Sequence, residues 1–541
     1  MTKTGERVYS YVQDDAIGRE RRTVKPEPKK ILWVDDEIEL LRSHFLFLRE
    51  RGYEVVAASS GEDAVELARK GRFDVVLLDE MMPGKDGLET LAELKAVDGD
   101  LPVVMVTKSE AEDLMTEAIG KRIADFLVKP VNPHQILSTL KRLLEARKII
   151  GDRLGRDYVQ EFQAIRRMRS EGPDWRSWAT IWQTFATWDL ELEKYPDTGL
   201  RSTQEGEKKE ANIEFARYVE SSYGRWLQGA EHPILSSELF KTYAAPLLKS
   251  GEKVYFVVLD CMRLDQWLAL EPFLRDYYET ELDLYYSILP TATPYARNAI
   301  FAGLYPAEIA KQFPQYWDEK GDDTSRNRHE RQLLDKQIER LGLKLSSEAK
   351  YVKIFNLEEA QEVRRHVGTF YSSQLVSIVV NFVDILMHAR GQSKVLQEIA
   401  QDEIGFRSLT RAWFENSPLL DTLRSLSKQK CTVILTTDHG SVQSRRPAIA
   451  KGDRETSPNI RYKFGTNVNA DDRQAFIIRN PSAYRLPDDV FNKRYIIARE
   501  DFYFVYPTHF EEYKKEFMGS FQHGGISMEE MIIPVVTMKV K

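Results

Sequence analysis

Cysteine is scarce in this sequence, and an excess of positive charge is missing. The chain has only two cysteines among 541 residues, Cys261 and Cys431, which excludes the disulfide framework of small secreted domains and fits a reducing compartment. The net charge of −7 argues against general coating of nucleic acid or membrane. The longest apolar stretch, LVSIVVNFVDILM, is too short for a bilayer, and the first residues contain no apolar signal core. We therefore expect a cytoplasmic protein without stable membrane insertion.

Length and composition allow several folded domains. The 541 residues are enough for about three or four domains and a large core, and a hydrophobic content of 42% indicates a globular rather than a disordered chain. The polar composition of residues 1–28 predicts a mobile tail. Changes of pattern then predict an alternating strand–helix domain at residues 29–147, a helical linker at 148–225 and a large α/β domain at 226–541.

Five short apolar runs organise the first of these domains. They read ILWV, EVVAA, DVVLL, PVVMV and DFLV, and each is followed by an amphipathic segment. Such units predict a doubly wound parallel sheet with a flavodoxin-like strand order. Ligands of that fold bind at the carboxyl ends of the strands.

Acidic residues stand at these strand ends. Asp35 and Asp36 follow the first strand and Asp79 follows the third, which places three carboxylates in one crevice. They repel one another unless a hard cation joins them, and Mg²⁺ prefers such oxygen ligands. Thr107 ends the fourth strand and Lys129 the fifth, where a hydroxyl and an ammonium could bind phosphoryl oxygens on Asp79. One acid alone would suit a solvated loop with a structural lysine, but the five positions together favour a phosphoryl site.

These residues carry a resemblance. VDDE, LLDEMMPGKDG, MVT and FLVKP are similar to the motifs of bacterial response-regulator receiver domains. The resemblance implies that Asp79 accepts phosphate from a histidine kinase. It also implies that Asp36, Asp79 and the backbone carbonyl of Met81 hold Mg²⁺, with Asp35 assisting, and that Phe126 occupies the aromatic switch position.

The predicted linker has helical patterns and no strand-like run. RDYVQEFQAIRRMRS and DWRSWATIWQTFATWDLELEKY have helical periodicity, and the tryptophans of the second are typical of a packed helix more than of an aromatic binding surface. PDTGLRSTQEGEKKE breaks the pattern, which predicts a loop. The sequence has no clear helix-turn-helix or basic reading helix, so a receiver here needs another effector.

Acids and histidines recur after strand-like runs in the large domain. Singly, each could be a helix cap, a local hydrogen-bonded pair or a loop histidine. Together they lie where an α/β sheet builds its sites. They are Asp260 in KVYFVVLDCMR, Thr293 in LPTATPYARNAIFAGLYP, Asp384 and His388 in SIVVNFVDILMH, Asp438 and His439 in TVILTTDHG, and His523 in FQHGGIS.

The residue types indicate a metal pair. Three carboxylates and three imidazoles form a mixed nitrogen and oxygen set that suits Zn²⁺ or Mn²⁺. Six ligands divide into two open three-ligand sites, and two metal ions about 4 Å apart can activate a nucleophile and stabilise a leaving oxygen in phosphoryl transfer.

This ordered set resembles the alkaline phosphatase superfamily. The resemblance implies a first metal, Zn²⁺, on Asp260, Asp438, His439 and the nucleophile Thr293, and a second on Asp384, His388 and His523. The nucleotide pyrophosphatase/phosphodiesterase branch has a PTxT…GLYP stretch, and this match selects Thr293 over Thr291 as nucleophile. The sulfatase branch has Cys or Ser at that position, so the threonine disfavours a sulfatase. The matching positions here are Pro290, Thr291, Thr293 and Gly303 to Pro306.

VLDCMRLDQW and RYKFG further resemble the PglZ subgroup of this superfamily. Arg263 could bind phosphate or form a structural salt bridge. Residues 307–365 and 441–515 are interpreted as cap insertions above the site. Basic residues of the second insertion could line an anionic substrate or form a solvated basic loop, and the sequence leaves both open: Arg445, Arg446, Lys451, Arg454, Arg461 and Lys463.

The fold class expected for the whole chain is therefore α/β: a flavodoxin-like receiver, a helical-bundle linker and an alkaline-phosphatase-like domain with cap insertions. This order resembles response regulators associated with type IX secretion. The resemblance implies a zinc phosphodiesterase for oligonucleotides, with cyclic signalling nucleotides as one candidate, and a homodimer on phosphorylation. It implies three partners: a histidine kinase, a sigma factor and a secretion-motor component. The alternative is an interaction adaptor with a structural metal site.

Overall fold

The computed structural model describes residues 28–108, 123–195, 199–318, 327–452, 457 and 459–541. The chain divides into two compact units, residues 1–156 and 157–541. The tail predicted for residues 1–28 lies outside the described residues except for its last position, and Arg454 lies outside them as well.

The first unit is built on a five-stranded parallel sheet. Its strand order is β2-β1-β3-β4-β5, which is the flavodoxin-like order and confirms the predicted fold class. The strands are β1 (Lys29–Val34), β2 (Tyr53–Ala58), β3 (Val75–Asp79), β4 (Val103–Thr107) and β5 (Asp125–Val128). The helices are α1 (Arg42–Arg49), α2 (Gly61–Lys70), α3 (Gly87–Val97) and α4 (Pro133–Ser170).

Local sequence explains these elements. The apolar runs of β1, β3 and β4 are buried on both faces, as parallel strands covered by helices require. Ser60 and Asp86 cap α2 and α3, because each side chain accepts a hydrogen bond from a backbone amide three residues on. Because β1 and β3 are parallel neighbours, their carboxyl ends lie side by side at one edge of the sheet.

Helices form the predicted linker. α4 is followed by α5 (Trp175–Lys194) and α6 (Leu200–Trp226). Trp178, Trp182 and Trp188 are buried, so the prediction of a packed tryptophan-rich helix is confirmed. The predicted loop is wrong from Leu200 onward, because this charged stretch forms the first turns of α6. The helix tolerates such residues because Glu207 and Lys208 are buried in ion pairs with neighbouring elements.

A six-stranded sheet forms the core of the large domain, in the order β7-β18-β10-β6-β9-β8. β6 runs parallel to β9 and β10, β8 runs parallel to β9, and β18 runs antiparallel to β10 and β7. The carboxyl ends of the parallel neighbours β10, β6 and β9 therefore lie at the same edge of the sheet. The strands are β6 (Val254–Leu259), β7 (Tyr278–Tyr286), β8 (Lys350–Ile354), β9 (Leu375–Val380), β10 (Thr432–Thr436) and β18 (Ile532–Val540).

Helices cover this sheet. Within the described ranges, none of them combines the length and apolar character needed to cross a membrane. The helices are α7 (Ala245–Lys249), α8 (Leu264–Leu270), α9 (Thr293–Ala302), α10 (Pro306–Gln312), α11 (Glu330–Arg340), α12 (Leu357–Arg365), α13 (Phe382–Gln392), α14 (Lys394–Ile399), α15 (Glu403–Glu415), α16 (Pro418–Leu426), α17 (Phe510–Phe517) and α18 (Met528–Met531).

The two predicted insertions differ. Residues 441–515 build small sheets of their own, with the pairings β11-β17, β12-β16 and β13-β15-β14. Residues 307–365 are only partly an insertion, because β8 is an edge strand of the main sheet and Leu333 and Leu334 of α11 belong to its core. The small strands are β11 (Val442–Gln443), β12 (Arg446–Ile449), β13 (Tyr462–Gly465), β14 (Ala475–Ile478), β15 (Arg494–Ala498), β16 (Phe502–Val505) and β17 (Phe521–Gln522).

Candidate functional sites

The first unit brings its three acids together at one edge of the sheet. Ligand oxygens of Asp35, Asp36 and Asp79 lie within 4.8 Å of one another. Asp35 and Asp79 are buried, whereas Asp36 is exposed. Nζ of Lys129 lies 2.9 Å from Oδ2 of Asp35 and 2.9 Å from Oδ2 of Asp79. One ammonium thus bridges two of three clustered carboxylates, which leaves an excess of negative charge suited to a hard cation.

Charge and burial oppose each other at Asp79. Burial raises the pKa of the Asp79 carboxyl above its usual value, although Lys129 works against this rise. Burial also lowers the pKa of Lys129, but Asp79 and Asp35 outweigh it and raise that pKa overall.

The other predicted residues of the receiver site lie on or next to the same strands. Phe126 on β5 is 38% exposed, and Thr107 is the last residue of β4. Met81 follows β3 by two residues.

The large domain groups three of the predicted ligands with the predicted nucleophile. Asp260 follows β6, Asp438 and His439 follow β10, and Thr293 is the first residue of α9. Ligand atoms of Asp260, Asp438 and His439 lie within 4.8 Å of one another, and all three residues are buried. Oγ1 of Thr293 lies 2.9 Å from Nε2 of His439 and 3.5 Å from Oδ1 of Asp260. The three ligands and Thr293 are called the first metal group below.

The turn after β10 is held tightly. Ser287 donates a hydrogen bond to the carbonyl of Asp438 at 2.7 Å, and Cys261 N–H donates to Oδ1 of Asp438 at 3.3 Å. Gly440 has no room for a side chain, since a Cβ there would lie 2.0 Å from the carbonyl oxygen of Glu529. The adjacent acid and histidine are therefore fixed by packing on both sides of the turn.

The electrostatics of the first metal group favour a cation. Burial raises the pKa of Asp260, but the Arg297 guanidinium and then His439 outweigh burial and lower this pKa to about 2. Burial, followed by the charge of Asp260, raises the pKa of Asp438 well above its usual value. Two such close carboxylates ionise together only when positive charge is added.

The imidazole of His439 is neutral and has the orientation of a metal ligand. Burial lowers the pKa of His439 to about 4. Its Nδ1 lies 3.1 Å from the carbonyl oxygen of Gly440, and because a carbonyl can only accept, Nδ1 carries the proton. Nε2, which faces Thr293, therefore has a free lone pair, and a backbone carbonyl on the other nitrogen is a common way to orient such a ligand.

A second metal group consists of Asp384, His388 and His523. Asp384 and His388 lie one turn apart on α13, and His523 follows β17. Nε2 of His388 is 3.4 Å and Nε2 of His523 is 3.7 Å from Oδ1 of Asp384. The His388 side chain is 52% exposed, so this group opens toward solvent while the first metal group is enclosed.

The two metal groups adjoin each other. The rings of His439 and His523 are stacked with their centroids 4.2 Å apart. Oδ2 of Asp438 and Oδ1 of Asp384 are buried and accept no hydrogen bond from any donor in the described part of the chain. One carboxylate oxygen in each group thus has the character of a metal ligand, and the donor set fits two cations.

Sequence reasoning missed Arg297 and Glu330. Arg297 lies one turn after Thr293 on α9, is buried, and places Nη1 2.6 Å from Oδ2 of Asp260. Its Nε donates to Oε1 of Glu330 at 2.5 Å. The four-residue spacing from Thr293 could have indicated Arg297, since it puts both side chains on one helix face. Glu330 gave no such signal, because residues 307–365 were interpreted as a cap.

Arg263 forms a structural salt bridge. It is 1% exposed, its Nε donates to Oδ1 of Asp265 at 2.8 Å, and Nη1 lies 3.5 Å from Glu403. Of the two predicted alternatives, the geometry matches the salt bridge, because Asp265 accepts hydrogen bonds from both Nε and Nη2 of the buried guanidinium.

The basic residues of the second insertion do not act as one set. Arg461 and Lys463 are buried, Arg446 pairs with Glu500 and Asp501, and Arg445 and Lys451 are exposed. Arg461 pairs with Glu530 and donates to backbone carbonyls. A common substrate-lining surface and a uniformly solvated loop are therefore both wrong for the described members.

Fold and sites together define a class: a receiver-type domain joined through helices to an alkaline-phosphatase-like α/β domain. The model of the family described as "BREX system PglZ alkaline phosphatase-like domain" matches residues 239–538, more than half of the chain. The chain therefore belongs to the PglZ family. The response-regulator receiver model matches residues 31–141 and the PorX response-regulator linker model matches residues 148–227. This order is that of a PorX-type response regulator with a PglZ domain.

Curated relatives share one part of the chain. The transcriptional regulatory protein ZraR of Escherichia coli O157:H7 is 37% identical over 120 residues, which cover 22% of this chain and 27% of the relative. The alginate biosynthesis regulator AlgB of Pseudomonas syringae is 36% identical over 120 residues, with the same two shares. The chain thus spans about a quarter of the length of these relatives. Among solved structures, CheY4 of Vibrio cholerae is 33% identical, covering 21% of this chain and 98% of that chain with a TM-score of 0.21.

Proposed function

We propose that the protein is a two-component response regulator whose output domain is a zinc-dependent phosphodiesterase acting on oligonucleotides. The observation that carries this proposal is the position of Thr293, whose hydroxyl lies 2.9 Å from Nε2 of His439 and 3.5 Å from Oδ1 of Asp260. A hydroxyl is thereby held inside a set of metal ligands, which a purely structural metal site has no need for.

The two metal groups would hold one Zn²⁺ each. Mixed carboxylate and imidazole ligands suit zinc, and three protein ligands leave an open position at each metal. When bound, such a pair lowers the pKa of an attacking hydroxyl and neutralises charge on a leaving oxygen. Domains of the alkaline-phosphatase-like class and receiver domains generally use metal ions.

Thr293 acts as the nucleophile in this proposal. Its Oγ1 loses its proton and attacks the phosphorus of a diester, the displaced oxygen leaves and takes up a proton as an alcohol, and water later cleaves the threonine phosphodiester and restores the hydroxyl. Nε2 of His439 would be a zinc ligand in this arrangement, since Nδ1 carries the proton. Thr293 opens the ten-residue helix α9, so the helix N-terminus favours the negative charge of the phosphoryl group. Arg297 on the same helix holds Asp260 and does not have a free fork for substrate.

The receiver supplies regulation. A receiver domain implies a histidine kinase partner, and Asp79 would be the phosphoacceptor, with Mg²⁺ held by Asp35, Asp36, Asp79 and the carbonyl of Met81. Lys129, which now bridges Asp35 and Asp79, and Thr107 would bind the phosphoryl oxygens. From resemblance alone, the proposal includes a sigma factor and a secretion-motor component as partners and a homodimer on phosphorylation.

A combined metal analysis and hydrolysis screen tests this function. Purified protein would be assayed against p-nitrophenyl diesters, p-nitrophenyl monoesters and short linear and cyclic oligonucleotides, with and without a chelator. We expect bound zinc, a higher kcat/KM for diesters than for monoesters, and loss of hydrolysis with the chelator. A protein that binds metal but cleaves none of these substrates would instead be the adaptor with a structural metal site.

A further inference from the structure

One linker helix, α6, contacts the segment that leads to Thr293 and the turn that follows His523. Near its carboxyl end, the Tyr223 hydroxyl accepts a hydrogen bond from the backbone N–H of Leu289 at 3.0 Å. Tyr223 is 1% exposed, and Leu289 is buried as well. Leu289 precedes Thr293 by four residues, so this bond fixes the segment that leads into the nucleophile.

Asn212 makes the second contact, about three turns earlier on the same helix. Its Oδ1 accepts from the backbone N–H of Met528 at 2.8 Å, and its Nδ2 donates to the two carboxylate oxygens of Glu529 at 3.2 and 2.9 Å. Asn212 and Glu529 are both buried. All the hydrogen-bonding atoms of this amide are therefore directed at the turn that follows His523.

That turn is in direct contact with the metal groups. The carbonyl oxygen of Glu529 lies against Cα of Gly440, where no Cβ would fit, and Gly440 N–H donates to the carbonyl of Glu530 at 3.1 Å. Gly440 also provides the carbonyl that orients the ring of His439. Displacement of Glu529 would therefore change the position of the His439 ring as well as that of His523.

The two contacted segments are also tied to each other. Thr291, two residues before the nucleophile, donates a hydrogen bond from Oγ1 to the carbonyl of Gly525 at 2.7 Å. Gly525 is two residues after His523. The linker helix thus holds a connected pair of loops at two points, one on each loop.

Ion pairs to the two other linker helices and to α15 of the large domain hold α6 in position. Arg169 of α4 places Nη1 3.1 Å from Glu207 and Nη2 2.7 Å from Glu214 of α6. Buried Lys208 of α6 pairs with Asp189 of α5 at 3.3 Å and with Glu403 of α15 at 2.7 Å. A change in these pairings would move Tyr223 and Asn212 together with the helix.

We propose that Tyr223 and Asn212 are positioning residues for the catalytic site, so that the linker is part of the catalytic unit. This inference rests on the proposed function. Neither side chain contacts Thr293 or a metal ligand; Tyr223 acts through the segment Leu289 to Thr293, and Asn212 acts through the turn that joins His523 to Glu529. The two residues therefore have different expected effects.

Tyr223→Phe tests the first contact. It removes only the hydroxyl and leaves the buried Leu289 N–H without its acceptor, so kcat for a p-nitrophenyl diester should fall about tenfold with KM and zinc content unchanged. The matched control is Tyr218→Phe on the same helix, whose hydroxyl interacts with Ser222 and the backbone of Trp175. Its kcat should stay within about twofold of wild type. Equal kcat values for the two variants would overturn the role of Tyr223.

Asn212→Leu tests the second contact. Half-release of one zinc equivalent should need about tenfold less of a colorimetric chelator than in wild type, because the turn carrying His523 is loosened. The matched control is Gln204→Leu, since Gln204 is also buried in α6 but donates to the carbonyl of Phe185 and to Asp189 in α5. Zinc release at the same chelator concentration in both variants would overturn the role of Asn212.

Zinc binding and diester cleavage by the wild type distinguish a failure of this inference from a failure of the proposed function. If wild type neither binds zinc nor cleaves a diester, the proposed function fails and the positioning role falls with it. If wild type does both and the two variants match their controls, only the positioning role is wrong.

Discussion

Oγ1 of Thr293 lies 2.9 Å from Nε2 of His439, although 146 residues separate them in the chain. The histidine is the third ligand of the first metal group, and its other ring nitrogen is held by the carbonyl of Gly440. A hydroxyl so placed shares the space in which a metal would be bound. The proposed nucleophile and the proposed metal ligands are therefore parts of one arrangement at the edge of the main sheet.

The metal content of the protein should be close to two zinc equivalents, one for each metal group. His523→Ala should lose one equivalent preferentially, because it removes a ligand from the second metal group only. Elemental analysis of purified wild type and variant measures this directly. His366→Ala is a matched control, since this exposed histidine pairs with Glu362 away from both groups.

Two results would contradict the two-metal interpretation. One is wild-type protein without bound transition metal that keeps full hydrolytic activity in chelator. The other is loss of both metals, or of neither, in the His523→Ala variant under conditions where the His366→Ala protein retains two.

Arg297→Lys should weaken metal binding at the first metal group by about ten- to a hundredfold. Arg297 spans Asp260 and Glu330 with two separate nitrogens, whereas a lysine offers a single ammonium that cannot hold both carboxylates in the same way. Zinc titration in competition with a chelator provides the measurement. Arg407→Lys is the control, because Arg407 is also buried and also bridges two acids, Asp265 and Glu193. Equal zinc affinities in the two variants would exclude a positioning role for Arg297.

Lys463 should make the stability of the large domain depend on pH. Burial lowers the pKa of Lys463 to about 8 from the usual 10.5, so the unfolded chain binds the proton more tightly than the folded one. The folded state is then disfavoured by roughly 3 kcal/mol below pH 8, and this penalty disappears as the pH rises toward 10.5. Denaturant titrations at several pH values give the free energy of unfolding of wild type and Lys463→Met. Between pH 8 and 10.5 this free energy should rise for the wild type relative to the variant. Parallel pH profiles for the two proteins would show that the pKa is not lowered.

Phosphorylation of Asp79 should convert monomer to dimer. The phosphoryl group would recruit Thr107 and Lys129, releasing the bridge from Lys129 to Asp35, and Phe126, now 38% exposed, would turn inward. Such a local change can bias a two-state surface. Light scattering with beryllium fluoride and Mg²⁺ at micromolar protein should show a doubled mass for wild type but not for Asp79→Ala. A monomeric mass in both proteins would mean that the signal reaches the output domain by another route.

Much of the site could be predicted because its residues follow strands. Asp260 comes one residue after β6 and Asp438 two residues after β10. These strands are parallel neighbours, so the proximity of the two acids follows from the sheet once the strands are recognised. The pairing of Asp384 with His388 follows from helical spacing. An acid that follows an apolar run and a four-residue spacing on a helix are both visible in a short stretch of sequence.

The remainder depends on long-range packing. The charged stretch from Leu200 was predicted as a loop because nothing nearby reveals that Lys208 is neutralised by Glu403, almost two hundred residues away. Glu330 was placed in a cap because the partner that makes its burial tolerable, Arg297, lies in a different segment. For Arg461 the sequence leaves a substrate contact and a solvated loop open, because nothing near it in the chain indicates its buried pairing with Glu530. Buried ion pairs between distant segments leave no local signature.

The rate of diester hydrolysis in variants of Thr293 tests the central claim most directly. Thr293→Ala should lower kcat by a factor on the order of 10³ or more while the fold and zinc content are retained, because the attacking hydroxyl is gone. Thr293→Ser, which keeps a hydroxyl, should retain most of the activity, and Thr291→Ala, which loses only the bond to Gly525, should be much less affected than Thr293→Ala. Full activity in Thr293→Ala, or equal losses in the Thr291 and Thr293 alanine variants, would contradict the assignment of Thr293 as the nucleophile.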